Sequence, residues 1–233
     1  ARGDLGVEMP MEQVPVIQKR IIKKCIEASK PVIIATQMME SMIVSPVPTR
    51  AELNDIANAV MDGADAVMLS AETSVGAFPV DAISYMRKTI LEVETNTNAP
   101  YFKGVKPSAE SETFFSDEIC FTAVKVSDHL KADAIVGMTF SGYSAYKISS
   151  FRPKASIFIF TTNPRLVNTL SLVWGVRGFL YREFESTDDS MQDVNDNLLK
   201  GGFIKPGQVV INTASMPISE RSRVNTIKVS EIK

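Results

Sequence analysis

The sequence lacks an excess of basic residues. It contains 25 Lys and Arg and 27 Asp and Glu, which gives a net charge of -2 at pH 7. Proteins that bind nucleic acid or anionic membrane surfaces usually carry a basic patch or a basic run. We therefore expect no nucleic-acid or membrane partner, and we expect small molecules or other protein chains instead.

Cysteine and long apolar runs are also scarce. Cys25 and Cys120 stand far apart, with no Cys-x-x-Cys pair and a single histidine in the chain. A disulfide framework or a zinc site is not expected, and a reducing compartment fits better. Apolar runs such as PVIIA fall far short of the ~20 residues that span a bilayer, and no signal-peptide pattern opens the chain. The sequence thus predicts a cytoplasmic protein.

The first ten residues, ARGDLGVEMP, contain no initiating methionine. Arg2, Gly3, Asp4 and Gly6 resemble the polar, glycine-containing turn that follows a strand. No strand precedes them in this sequence. We therefore expect the chain to start at the end of a strand that belongs to a longer protein.

Helical and strand patterns alternate in the first half, which is typical of βα units and a parallel sheet. The capping box Thr49-Arg-Ala-Glu52 marks one helix start, and Pro79 marks another. The predicted elements are a helix at 14–29, a strand at 31–36, a helix from Thr49 to about Asp62, a buried strand at 64–70 and a helix from Pro79 to about Glu94.

A polar stretch rich in Asn, Pro, Gly and Ser separates this half from a second α/β pattern. We predict a partial barrel domain at 1–97, a linker at 98–115 and a C-terminal α/β domain at 116–233. In the second domain Ser116 is predicted to cap a helix that runs to about Lys131, and Asn163-Pro164 to start another. The predicted strands are DAIVGMTF, ASIFIFTT, VRGFLYR, GQVVINTA and TIKVSEI, with helices at 142–151 and 186–199 between them.

Three polar clusters follow successive strands of the first half. They are Gly3-Asp4, Thr36-Gln37 and Ser70-Ala71-Glu72. Neighbouring parallel strands lie ~4.8 Å apart, so side chains at their carboxyl ends reach one pocket. Each cluster alone is more often a turn or a cap, but three on consecutive strands favour a site. Asp4 suits a hard cation, and the Thr36 hydroxyl can donate or relay a proton.

Three long segments resemble the pyruvate kinase family: ARGDLGVEMP, KPVIIATQMMESMIVSPVPTRAE and DIANAVMDGADAVMLSAETSVGAFP. The family has an eight-stranded βα (TIM) barrel, an inserted lid domain and a C-terminal α/β domain. The resemblance implies that this chain holds the last three barrel units and the whole C-terminal domain, whose sheet is mostly parallel.

The resemblance also implies roles for individual residues. Asp4 matches a ligand of the divalent cation, Mg²⁺ or Mn²⁺, with K⁺ as a further candidate cofactor. Gly3 and Asp4 match positions that hold the substrate carboxylate, and Thr36 matches a threonine that contacts substrate. Ser70 and Glu72 match a polar pair assigned to the water network that protonates the enolate. The implied partners are phosphoenolpyruvate, ADP, a phosphorylated effector and, in the complete enzyme, three further copies of the chain.

The family's glutamate metal ligand and its phosphoryl-neutralising lysine lie on earlier strands, outside this sequence. One carboxylate cannot fix Mg²⁺ or offset the charge of a transferring phosphoryl group. We therefore expect the family reaction in the complete protein and no activity in this chain alone. The alternative is a stand-alone regulatory or phosphate-binding module with a non-catalytic barrel remnant.

The second domain has its own candidate site in the stretch TFSGYSA. The hydroxyls of Thr139, Ser141 and Ser144, with the amides of Gly142 and Tyr143 at a helix start, could hold a phosphate. An ordinary turn capped by Ser141 is an equally good interpretation of the pattern alone. The resemblance favours the phosphate site, because the matching family loop binds an allosteric sugar phosphate.

A second loop is expected to face this site. In family members that bind a sugar bisphosphate it is rich in glycine, whereas SMPISERSRVNT contains none. Glu220 would place a carboxylate near the ligand, and Arg221 and Arg223 could compensate. We therefore expect a monophosphate or phosphate-like anion to bind in preference to fructose 1,6-bisphosphate.

Overall fold

The structure is a computed structural model that describes residues 1–96, 106–181, 186–220 and 222–233. The chain divides into two compact units, Ala1–Tyr101 and Phe102–Lys233. Residues 98–105 of the expected linker lie outside the described residues, as does Arg221. No helix within the described ranges is long and apolar enough to cross a membrane.

The first unit contains helices and a pair of short parallel strands, β1 (Ile33–Ala35) and β2 (Ala66–Met68). Ile33 pairs with Ala66 and Ala35 with Met68, so the two strands end side by side. Short 3-10 turns lie at Met11–Gln13 and Glu40–Ile43. The elements in chain order are α1 (Arg2–Glu8), α2 (Val14–Glu27), β1 (Ile33–Ala35), α3 (Arg50–Asp62), β2 (Ala66–Met68), α4 (Ala71–Ser74) and α5 (Pro79–Asn96).

The first residues form helix α1, so the prediction of a strand-end turn at Arg2 to Gly6 is wrong. The Leu5 amide donates to the Ala1 carbonyl at 3.1 Å, and the Met9 amide donates to the Leu5 carbonyl at 3.0 Å. Two glycines weaken a helix by ~1 kcal/mol each relative to alanine, which is why the sequence suggested a turn. Asp4 in the first turn favours the helix, because its charge offsets the positive end of the helix dipole.

The signals that delimit α3 act as predicted. The Thr49 side chain accepts from the Glu52 amide, and the Glu52 carboxylate accepts from the Thr49 amide. Gly63 ends the helix in the left-handed conformation, with φ of 97°. The predicted start of α5 at Pro79 is also confirmed. These features depend on a few neighbouring residues, so the sequence is enough to predict them.

Burial in the first unit differs between the two strands. Ile34 and Ala35 of β1 are buried, whereas Ala66 and Val67 of β2 are only half-buried and Met68 is exposed. The prediction of a buried strand at 64–70 is therefore wrong for β2, because an apolar run predicts a strand but does not show which elements cover its faces. The loop that follows β1 is also anchored in the core, since Met38, Met39 and Met42 are fully buried.

The second unit is a five-stranded sheet with helices on both faces. Its strand order is β5-β4-β3-β6-β7, and all neighbours are parallel except β6 and β7. A 3-10 turn lies at Ile218–Glu220. The elements are α6 (Phe114–Leu130), β3 (Ala134–Met138), α7 (Tyr143–Ser150), β4 (Ser156–Thr161), α8 (Pro164–Leu170), β5 (Val176–Leu180), α9 (Thr187–Lys200), β6 (Val209–Ala214) and β7 (Thr226–Glu231).

Alternating side chains of the central strands build two separate cores. On β4, Ile157 and Ile159 face a cluster that includes residues of α6, α7 and α8. Phe158 and Phe160 face the opposite cluster, which includes residues of α9. Both faces of β4 are buried because helices cover the sheet on two sides, as expected for a mostly parallel sheet.

Two helix starts in this unit had been predicted from capping residues, with different outcomes. The Asn163 side chain accepts from the amides of Arg165 and Leu166, as predicted. Ser116 is not the cap of α6, which begins at Phe114, because the Ser116 hydroxyl donates instead to the Thr113 carbonyl at 3.0 Å. A serine near the start of a helix can make either bond, and sequence does not distinguish the two.

Candidate functional site

The structure brings the first two predicted clusters into direct contact. The Gly3 amide donates to the Thr36 hydroxyl oxygen at 3.0 Å. The same hydroxyl donates to the Ala35 carbonyl at 2.6 Å. Its orientation is therefore set by the backbone on both sides, and one oxygen lone pair is left for a further donor.

The third cluster is joined to the second through Glu72. This residue is 3% exposed and follows β2 at the start of α4. One carboxylate oxygen accepts from the Met39 amide at 3.2 Å and the other from the Ser70 amide at 2.7 Å. Glu72 thereby ties the loop after β1 to the loop after β2, while Ser70 remains exposed at the surface.

Asp4 is the candidate cation ligand, and it lies exposed in the first turn of α1. It lines an open cavity of about 390 Å³, together with Arg2, Glu8 and residues of β1. Over the described ranges, no group of three or more His, Cys, Asp or Glu side chains could hold a metal ion. Asp4 fits the role of one oxygen ligand, and Mg²⁺ would need further ligands from substrate or water.

The loop of the second unit, Thr139 to Ser144, follows β3 and includes the first two residues of α7. The Thr139 hydroxyl oxygen accepts from the Gly142 amide at 3.0 Å, and the Ser141 hydroxyl oxygen accepts from the Tyr143 amide at 3.3 Å. Gly142 has a φ of +85°, and a Cβ there would lie 2.7 Å from Leu166 Cδ1. The hydroxyls thus organise the loop's own amides, which holds the turn in one shape.

This loop forms one wall of a pocket of about 100 Å³. Ser215, the first residue after β6, lies on the other side of the pocket, as do residues that precede β7. After β3 the chain adds β4 and β5 on one side of β3, and it then crosses to add β6 on the other side. The order in which strands are added to the sheet therefore reverses between β3 and β6. The carboxyl ends of strands at such a reversal are where α/β proteins usually bind ligands. The polar and charged residues in the lining are Thr139, Ser141, Tyr143, Ser144, Ser215, Ser222 and Arg223.

Two charged side chains define the electrostatics near this pocket. Arg223 donates to the Glu112 carbonyl at 2.9 Å, and its guanidinium lies 5.9 Å from the centre of the Tyr143 ring. The buried Asp117 accepts from the Tyr143 hydroxyl. Burial, and then this hydrogen bond, raise the pKa of Tyr143 to about 12. Glu220, which had been expected near the ligand, is exposed and does not belong to the lining.

Three residues at or near this pocket were not predicted from the sequence to belong to it. Ser215 and Ser222 line the pocket, but strand order is needed to see that β6 ends beside β3. Asp117, an acid in the first turn of α6, is buried and contacts Tyr143 and Lys147. An acid in the first turn of a helix is common on exposed surfaces, so the sequence gave no distinct signal of this buried role.

Comparison with known proteins agrees with this architecture of βα units followed by a mostly parallel five-stranded sheet. Residues 1–83 match the family model described as pyruvate kinase, barrel domain. Residues 117–230 match the one described as pyruvate kinase, alpha/beta domain. The fold and the two matched domains therefore place the chain in the α/β class. The chain belongs to the pyruvate kinase family.

Individual relatives show the same relationship. The chain is 39% identical over 233 residues to a pyruvate kinase of Clostridium acetobutylicum and 41% identical over 232 residues to that of Geobacillus stearothermophilus. It covers 49% and 39% of these two proteins. The crystal structure of a pyruvate kinase from Cryptosporidium parvum superposes with a TM-score of 0.89 at 35% identity, over 100% of this chain and 46% of that one. The chain thus spans about half the length, or less, of these relatives.

Proposed function

We propose that this chain is the C-terminal part of a pyruvate kinase, the enzyme that transfers the phosphoryl group of phosphoenolpyruvate to ADP and yields pyruvate and ATP. The observation that carries the proposal is the contact between Gly3 and Thr36, within a chain whose two domains both match this family. It brings together two of the three predicted clusters. The match of the barrel part gives no support to a purely regulatory module.

The described residues have distinct roles in this proposal. Gly3 and Asp4 lie where the substrate carboxylate and its cation bind, with the Gly3 amide holding the Thr36 hydroxyl oxygen. Thr36 presents that hydroxyl to the substrate. Ser70 is exposed and can contact the water that delivers a proton to the enolate. Both oxygens of Glu72 already accept from backbone amides, so it acts by holding Ser70 and the Met39 loop in place.

The cation is Mg²⁺ or Mn²⁺ in this proposal, with K⁺ as a monovalent cofactor. When bound, a divalent cation neutralises charge on the phosphoryl oxygens. Asp4 would supply one oxygen ligand from this chain, which agrees with its exposure at the cavity beside β1.

The second unit supplies regulation in this proposal. A phosphorylated effector binds in the pocket at the reversal point of the sheet, between the loop of Thr139, Ser141, Gly142, Tyr143 and Ser144 and the segment of Ser215 and Arg223. Its lining of hydroxyls and one guanidinium suits an anion. From the family resemblance we place the complete enzyme in the cytoplasm as an allosteric homotetramer.

A coupled pyruvate assay with excess Mg²⁺ tests the proposal on this chain and on the full-length enzyme that carries it. We expect turnover of about 1 to 100 per second for the full-length enzyme, and none for the chain alone. In the full-length enzyme Asp4→Asn should sharply weaken Mg²⁺-dependent turnover, whereas Thr36→Val should mainly lower kcat.

Two results would contradict these assignments. Ordinary turnover by this chain alone would show that the phosphoryl-binding groups are present within it. An Asp4→Asn enzyme with unchanged Mg²⁺ dependence would remove Asp4 from the cation site. Lys19→Gln serves as the control, because Lys19 forms an exposed ion pair with Asp62 away from the clusters.

A further inference from the structure

The backbone at the end of β1 adopts a conformation that its residues disfavour. Thr36 has a φ of 69° and Gln37 a φ of 53°. Positive φ is uncommon outside glycine, and for a β-branched residue such as threonine it is a true outlier. Two such residues in succession persist only where surrounding contacts hold them.

The contacts that hold this turn come from Arg2. One nitrogen of its guanidinium donates to the Thr36 carbonyl at 2.8 Å and to the Gln37 carbonyl at 3.0 Å, and it contacts Met38 Sδ at 2.9 Å. The other terminal nitrogen pairs with Asp55 on α3. The Arg2 side chain is only 14% exposed. The guanidinium therefore links Asp55 of α3 to the carbonyls of Thr36 and Gln37, the two residues with positive φ.

We propose that Arg2 is a positioning residue, whose guanidinium holds Thr36 and Gln37 in the left-handed conformation and thereby directs the Thr36 hydroxyl towards the Gly3 amide. The proposal deepens the proposed function, on which its kinetic part rests. Arg2 makes no contact with substrate in this assignment, because both of its terminal nitrogens are directed at protein acceptors.

The shape of the guanidinium matters more than its charge. A planar fork with several donors can reach two carbonyls and a carboxylate at once, whereas an ammonium is a compact point charge on a flexible stem. Arg2→Lys should therefore keep the attraction to Asp55 but lose the hold on at least one carbonyl. Glu72 restrains the far end of the same loop through the Met39 amide, so local folding should survive.

The first test measures the backbone of this chain and needs no enzymatic activity. In the native chain, NMR should show at Thr36 and Gln37 the strong intraresidue amide–Hα NOE of left-handed residues. We expect that NOE to weaken at both residues in Arg2→Lys and in Asp55→Asn, which loosens Arg2 from α3. Lys19→Gln removes another ion pair to α3 and should leave the NOE unchanged. A left-handed Thr36 in both Arg2→Lys and Asp55→Asn would overturn the proposal.

The second test is a double-mutant cycle in the full-length enzyme. Misplacement of a reactive group by ~1 Å can cost a hundredfold in rate, so Arg2→Lys should lower kcat by about tenfold to a hundredfold with little change in KM. If Arg2 acts through the Thr36 hydroxyl, adding Arg2→Lys to Thr36→Val should cause little further loss. Fully additive losses would overturn the proposal. An inactive native full-length enzyme would refute the proposed function instead, and the NMR result then decides the role of Arg2 by itself.

Discussion

The Tyr143 hydroxyl donates a hydrogen bond of 2.5 Å to Asp117 Oδ1 and thereby joins α7 to α6. The other oxygen of Asp117 accepts from the Thr113 hydroxyl at 2.9 Å and pairs with Lys147 at 3.1 Å. Asp117 is 3% exposed, so this charge is stabilised by protein groups in place of water. The arrangement fixes the ring that forms one wall of the phosphate-sized pocket.

This cluster should make the second unit less stable in alkali. The pKa of Tyr143 is raised to about 12 from 10.0, first by burial and then by the bond to Asp117. The pKa of Cys120 is raised to about 12 from 9.0, first by burial and then by the Asp117 charge. Both groups bind their protons more tightly when folded, so their contribution to stability is complete below pH ~9 and is lost as the pH rises to ~12.

Urea unfolding followed by Trp174 fluorescence measures this loss, since Trp174 is the single tryptophan of the chain. Between pH ~10 and ~12, the free energy of unfolding should fall less steeply in Tyr143→Phe than in the native chain. Tyr146→Phe is the matched control, because Tyr146 is a second tyrosine on the same helix, α7. Equal slopes in the native chain and Tyr143→Phe would contradict the prediction.

Gly142→Ala should destabilise the second unit by about 1–3 kcal/mol, because a strained left-handed residue and a steric contact coincide there. The new Cβ would lie 2.7 Å from Leu166 Cδ1. Gly202→Ala is the control, since Gly202 also has a positive φ of +70° but no heavy atom within 4 Å of the added Cβ. Urea unfolding should rank Gly142→Ala as the more destabilising change, and the reverse order would show that packing at Leu166 is unimportant.

Glu72→Gln should loosen the two loops that Glu72 joins. The substitution keeps the side-chain volume but turns one acceptor into a donor that faces a backbone amide, at a cost of about 1–3 kcal/mol. Hydrogen exchange at the Met39 and Ser70 amides should become faster. Glu27→Gln on the surface of α2 should leave both rates unchanged. Unaltered exchange in Glu72→Gln would mean that the carboxylate does not hold these loops.

The pocket of the second unit should prefer an anion with one phosphate group. Its volume of about 100 Å³ is small beside the ~300–1,000 Å³ of typical small-molecule sites. Arg223 is the one cationic side chain among the described residues of its lining. Calorimetric titration of the chain should show binding of inorganic phosphate that Arg223→Gln weakens and that Arg177→Gln, on the edge strand β5, does not. Tighter binding of fructose 1,6-bisphosphate, lost on Ser141→Ala, would contradict the preference.

Much of the secondary structure followed from short-range patterns in the sequence. The capping box of Thr49 and Glu52, the terminating Gly63 and the cap at Asn163 each depend on backbone and side-chain groups a few residues apart. The resemblance placed the candidate residues Gly3, Thr36 and Glu72, whose roles remain proposals. It also identified the family, which the comparisons confirm.

The sequence by itself determined which residue types stand at the ends of the strands, because a strand's polarity pattern and its turn residues are local. Only the tertiary structure decided what those residues contact. That Arg2 reaches the carbonyls of Thr36 and Gln37, and that Glu72 binds the Met39 amide, depends on packing between segments more than thirty residues apart. Whether β6 lies beside β3 likewise depends on which pairing buries both faces of the sheet, a property of the whole unit and of no single segment.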